Sequence, residues 1–164
     1  LVRSALNYSN KDFIDIEKEL EFLTVYLSLE KLRFKDEFEY EILSNDIADI
    51  KVQTLLLQPF LENALLHGLM HKEGLKILSI DFTMDNDVLP CSIRDNGVGR
   101  ARAKELQKRQ GNHESFALNA IQKRLTLLNQ KDSYTCGFVI KDLEENGQPS
   151  GTEILVTLPY KQLY

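Results

Sequence analysis

The chain has 164 residues, 43% of them hydrophobic and 27% charged, with eight glycines, four prolines and a formal net charge of −5. That is about one domain's worth of ordinary globular sequence, long enough to bury its own core and neither disordered nor fibrous. The acidic balance argues against a general nucleic-acid binder, and no apolar stretch reaches the roughly 18 residues of a membrane span. Cys91 and Cys136 have no CxxC or CxxH companion, so they read as buried free thiols rather than as a zinc or redox site. The chain opens at Leu1 with no initiator Met and no signal-peptide pattern, and is expected to be a fragment of something longer.

From Asp12 to Phe34 the residues Phe13, Ile16, Leu20, Leu23, Leu27 and Leu29 recur at helical spacing, with Glu17, Glu19, Glu21, Lys31 and Arg33 on the wet face. This predicts an amphipathic helix, with Asn10 or Asp12 as N-cap and a charge order that suits the helix dipole. Residues 1–34 are therefore expected as a connecting helix packed on a domain formed by 35–164. Phe38, Tyr40 and Ile42 alternate with Glu37, Glu39 and Glu41, the pattern of a half-buried edge strand. Residues 45–51 read as a polar connection. Val52, Leu55, Leu56, Leu57, Phe60, Leu61, Ala64, Leu65 and Leu66 then form the most apolar helical stretch, ending at Gly68. Pro59 either kinks this helix or marks where it starts. Glu62, Asn63 and His67 are embedded in it, and Asn63 and His67, four residues apart, share one face.

Residues 75–83 and 88–94 read as strands joined by a hairpin turn at Met84-Asp85-Asn86-Asp87. Asp95-Asn96-Gly97-Val98-Gly99 follows. Alone it is a strong turn signal that needs no ligand; equally, it holds a carboxylate at the end of a buried strand beside backbone that can approach a ligand closely. A charged helix over 100–108, a polar break at 109–114, and a helix over 116–130 with Leu118, Ile121, Leu125 and Leu128 inside come next. Two closing strands, 134–142 and 152–159, flank a polar loop at 143–150. The elements predict one α/β (α+β) two-layer sandwich: a mixed, mostly antiparallel sheet of about five strands with helices on one face.

An Asn on an apolar helix costs free energy unless it is paired. Here it has company in Asp95, a Gly-rich turn and Gly151-Thr152 at the start of the last strand. Together they suit a magnesium nucleotide: an Asn oxygen as hard ligand, Asp95 accepting from an exocyclic amine, backbone N–H groups and His67 facing phosphate.

The segments Leu57-Gln58-Pro59-Phe60-Leu61-Glu62-Asn63-Ala64-Leu65-Leu66-His67-Gly68, Asp95-Asn96-Gly97-Val98-Gly99, Arg124-Leu125 and Gly151-Thr152-Glu153 resemble the ATPase domain shared by gyrases, heat-shock chaperones, histidine kinases and mismatch-repair proteins. Within it, the Gln-Pro-x-x-Glu-Asn-Ala-x-x-His-Gly form resembles the LytS-like sensor histidine kinases. Glu19-Leu20-Glu21, Tyr26-Leu27 and Lys31-Leu32-Arg33-Phe34 resemble the segment that precedes their ATP domain.

The resemblance implies a Bergerat-type ATP-binding fold and a histidine protein kinase fragment, which binds Mg-ATP and transfers the γ-phosphoryl group to a histidine upstream of Leu1. It implies that Asn63 coordinates Mg²⁺, that Asp95 binds the adenine amino group, and that Asn96, Gly97, Val98 and Gly99 carry the chain under the nucleotide. His67 and Gly68 would lie by the phosphates, Arg124 on the lid or phosphate side, and Thr152 beside Asp95 with a water between them. Asn112, His113, Ser115 and Leu118 would belong to the lid. Glu62 is a base, a supporting group or only a solvated or paired carboxylate.

Two departures stand out. The acid that activates water in gyrase-like and chaperone ATPases is replaced by Pro59, and the Gly-x-Gly-Leu of the lid by Ser115-Phe116-Ala117-Leu118. The implied partners are the upstream dimerisation and phosphoacceptor helices, a response regulator, and a second copy in a homodimer, with no nucleic acid and no direct membrane contact by this piece. The intact protein would be an inner-membrane sensor with this domain in the cytoplasm. Alternatives are a degenerate nucleotide-binding module, a gyrase- or chaperone-like ATPase, and an α/β interaction domain without nucleotide.

Overall fold

The computed structural model describes residues 13–163 apart from 45–46, 54, 87, 111–115 and 133–134. Its centre is a five-stranded sheet of β2 (Phe38–Leu43), β4 (Lys76–Phe82), β5 (Leu89–Asp95), β6 (Gly137–Glu145) and β7 (Gln148–Leu158), in the order β2-β4-β5-β7-β6. β2 runs parallel to β4 and the other pairs are antiparallel, so the sheet is mixed and mostly antiparallel, as expected. Phe38 and its alternating glutamates do lie on an edge strand.

Strand alternation decides which face is covered. Leu78, Ile80 and Phe82 of β4, Leu89, Cys91 and Ile93 of β5, and Ile154, Val156 and Leu158 of β7 are all buried under the helices. Between them, Ser79 bonds Glu41 and Ser92 bonds Glu153 on the open face. The covering layer comprises α1 (Ile16–Phe34), α2 (Gln58–Asn63) with its π-helical continuation (Ala64–Leu69), α3 (Arg100–Gln110) and α4 (Phe116–Asp132). Ile16, Leu23 and Leu27 of α1 and Ile121 and Leu125 of α4 join one core with the sheet.

Several boundaries differ from expectation. Residues 13–15 are not helical but form β1 (Phe13–Asp15), which pairs with β3 (Ile50–Gln53); β3 pairs in turn with β8 (Tyr160–Gln162). This second, three-stranded sheet takes Val52 out of the expected helix and residues 50–51 out of the expected loop. Asp15 stands at the helix N-cap without a side-chain cap bond; Asn10 and Asp12 lie outside the described residues. Leu29 is 50% exposed and Glu19 only 2%, because the buried stripe runs Ile16, Glu19, Leu23, Leu27. Pro59 falls in the first turn of α2, where its missing N–H costs nothing, and so marks a helix start. The expected loop at 143–150 is a tight hairpin, with β6 and β7 meeting at Asn146 (φ 53°) and Gly147 (φ 77°).

Candidate functional site

The apolar residues Phe60, Leu61, Ala64 and Leu65 drive one face of α2 and its π-helical continuation into the core, which leaves the polar residues to be placed by the remaining faces. Asn63 and His67 turn toward a cleft of about 230 Å³ between α2 with its π-helical continuation, α3, α4, the end of β5 and the middle of β6 and β7. Asn63, His67, Gly68, Asp95, Gly99, Leu118 and Thr152, all sequence candidates, line it together.

Asp95 sits at the cleft floor, 5% exposed, at the end of β5 and directly opposite Thr152 of β7. Burial pushes its pKa up to about 6, against the pull of the backbone N–H groups of Gly97 and Thr152; the Gly97 N–H donates to Oδ1 at 2.8 Å. The chain past Asp95 is pressed close on both sides. A Cβ on Gly97 would stand 2.4 Å from the Gly68 carbonyl, one on Gly68 would stand 2.8 Å from Asp95 Oδ1, and one on Gly151 2.0 Å from the Asp95 carbonyl oxygen. The Val98 N–H donates to the Gly68 carbonyl at 3.1 Å, tying the turn to the π-helical segment.

The other candidates are placed differently. Asn96 accepts from the Ile77 N–H at 2.7 Å and donates to the Leu75 carbonyl at 3.1 Å, so its amide anchors the turn to β4. Gly97 and Val98 serve the contact with Gly68, and none of the three lines the cleft. Glu62 also stays outside: its Oε1 accepts from Gln58 Nε2 at 3.1 Å, and its charge, after burial, helps push the Tyr26 hydroxyl of α1 upward. Arg124 on α4 acts on the buried Glu19 carboxylate of α1 rather than in the cleft. Asn112, His113 and Ser115 lie outside the described residues.

Missed in the sequence were Arg100, Ala103, Lys104 and Gln107, which line the cleft from α3, and Asn119 on α4. Their signal was the i, i+3, i+4, i+7 spacing of one helical face, hidden because most of the 11 residues of α3 are polar. Gln107 donates from its amide nitrogen to Nδ1 of His67, with Nε2 3.3 Å away. Burial and then His71 lower the His67 pKa, which favours the neutral ring. Arg100 Nε and Nη2 donate to Asp142 Oδ1 and Oδ2, both at 2.7 Å, a bidentate pair that holds Arg100 charged.

Residues 1–38 match the family model for histidine kinases. The chain is 28% identical to the sensor protein LytS of Oceanobacillus iheyensis over 98% of its own length and 27% of that protein. Its homologues are LytS-type sensor histidine kinases. It is also 28% identical to the sensor histidine kinase YpdA of Escherichia coli, over 96% of the chain and 26% of YpdA. The chain thus spans about a quarter of the length of these curated kinases. Among solved structures, the catalytic domain of the histidine kinase ThkA superposes with a TM-score of 0.59 at 9% identity, over 90% of this chain and 94% of that one. ThkA in complex with the response regulator TrrA gives 0.56 at 13% identity, over 96% and 46%. These two establish the kinase-domain fold. No described helix is long and apolar enough to cross a membrane.

Proposed function

We propose that the chain is the ATP-binding catalytic domain of a sensor histidine kinase, which presents Mg-ATP for transfer of the γ-phosphoryl group to a histidine elsewhere in the protein. The observation that carries the reading is the convergence of Asn63, His67, Asp95 and Thr152 on one cleft from three separate elements. A nearly buried carboxylate at the floor, with Oδ1 held by Gly97, is an acceptor aimed at a ligand amine. The adenine amino group fits it.

Asn63 offers one neutral oxygen, and no group of three metal-binding His, Cys, Asp or Glu side chains occurs among the described residues. Such a donor set fits Mg²⁺, which is commonly held by few protein ligands together with water and substrate phosphates. When bound, the ion would neutralise charge on the phosphates. The chain's own part is positioning: Asp95 orients the base, Asn63 fixes the phosphate end, and α3 with Leu118 narrows the cleft around them. Pro59, one turn before Asn63, has no carboxylate to activate water, which suits transfer to an imidazole over hydrolysis.

On this reading α1, through Phe34, connects residues 35–164 to upstream dimerisation and acceptor helices, the intact kinase is a homodimeric inner-membrane sensor, and a response regulator takes the phosphate onward. The test is calorimetry of the 164-residue chain with ATP and Mg²⁺, followed by phosphotransfer in the full-length protein. Binding that Asn63→Ala reduces at least tenfold in Mg²⁺ but hardly changes in EDTA supports the reading. No binding at millimolar ATP sinks it, and binding without transfer would make the domain a nucleotide-sensing scaffold.

A further inference from the structure

We infer that Lys104 on α3 is the residue that reads the polyphosphate of the bound nucleotide; the inference rests on the nucleotide reading of the cleft. Three basic side chains described in the structure line it: His67, Arg100 and Lys104. Two are committed. Arg100 is held by both oxygens of Asp142, so its charge is already matched. His67 is driven toward its neutral form by burial and receives the Gln107 amide. Lys104 makes no ion pair with any described residue, and Asp142, the carboxylate that feels it, is occupied by Arg100.

The geometry of α3 gives this amine its direction. Arg100, Ala103, Lys104 and Gln107 form one helical face against the cleft, and Ala103, 6% exposed, is the residue that packs it down. Arg100 and Gln107 lie at the two ends of that face with Lys104 between them, and Lys104 lines the same cleft as Asn63 and His67. A flexible ammonium there matches a chain of phosphate oxygens, for which a lysine acts as a point charge. The base, bound by Asp95 at the floor, does not need it. Lys104 therefore sets the preference for nucleoside di- and triphosphates over the bare nucleoside. Gln107, holding the His67 ring, is a positioning residue for the same wall.

The experiment is calorimetry of the 164-residue chain with adenosine, ADP and ATP in Mg²⁺, for the wild type, Lys104→Gln, Lys104→Arg and Asp95→Asn. Lys104→Gln is expected to weaken ADP and ATP roughly tenfold, the scale of one charge-assisted contact, and to leave adenosine unchanged. Lys104→Arg should recover most of the loss, and the salt dependence of ATP binding should flatten in Lys104→Gln. Asp95→Asn should weaken all three ligands alike. Unchanged ADP and ATP affinity in Lys104→Gln overturns the inference while leaving the nucleotide site standing. An equal loss for adenosine also overturns it, since Lys104 would then act on the shape of the cleft. A wild type that binds none of the three removes both readings.

Discussion

Asp95 has to be an acceptor to read an amine, and its setting works against that. With burial pushing its pKa up to about 6, the carboxyl gains a proton as the pH falls through about 6, and one of its oxygens becomes a donor facing a donor. ATP affinity is therefore expected to hold from pH 8 to 7 and to fall several-fold by pH 5, measured by calorimetry at constant ionic strength. Asp95→Asn fixes a neutral amide at the same place. It should bind ATP roughly 10- to 100-fold more weakly at pH 7.5, the worth of a hydrogen bond to a buried charge, and lose most of this pH dependence. Full affinity in the mutant would remove Asp95 from the base-binding role. The Gly97 N–H donates to Oδ1 at 2.8 Å and Thr152 supplies a second backbone donor, yet two carboxylate oxygens with about four lone-pair sites keep acceptor capacity for a ligand.

Between elements, the decisive contact is backbone on backbone. The turn after β5 crosses the π-helical segment where Gly97 meets Gly68, and the Val98 N–H closes the crossing on the Gly68 carbonyl. A π-helical turn, here marked by the Met70 N–H donating to the Leu65 carbonyl at 2.8 Å, is a costly conformation that often sits at functional sites. Its anchor at Gly68 is a tertiary partner. A methyl at 97 has no flexible side chain to displace, only the Gly68 backbone at 2.4 Å. Gly97→Ala is expected to cost about 1–3 kcal/mol by overpacking, read as a lower midpoint in urea, and to weaken ATP binding because Asp95 and Asn63 are positioned by the two elements that must move apart. Gly137→Ala, which meets nothing within 4 Å, is the control and should shift the midpoint far less.

For the molecule as a whole, the five-strand sheet and three of its covering helices were legible from strand alternation and from the apolar stripes of α1, α2 and α4. The three-stranded sheet was not: β1, β3 and β8 have three or four residues apiece and exist only through pairings such as Phe13↔Gln53 and Val52↔Tyr160, between residues far apart in sequence. The cleft's Asn63 and Asp95 were legible from their motifs, whereas α3's wall looked like any solvated helix. Glu19 was misread for a related reason, since a carboxylate is normally exposed although its spacing puts it on the buried stripe. It lies between α1, the Leu55 N–H and the Arg124 guanidinium of α4, and these two only partly offset a burial that pushes its pKa up to about 7. Its Oε2 has no hydrogen-bond partner among the described residues. With the folded value above the ordinary 4.5, the native state holds the proton more tightly than the unfolded chain. Stability from this group is thus full below pH 4.5 and is lost as the pH rises through about 7. Glu19→Gln removes the charge and keeps an oxygen for Leu55. It is expected to raise stability at pH 8 by about 1–3 kcal/mol and to have little effect at pH 4.5, with urea melts at both pH values as the measurement. Equal shifts at the two pH values would mean that packing, not the buried charge, sets the cost of joining α1 to the rest of the domain.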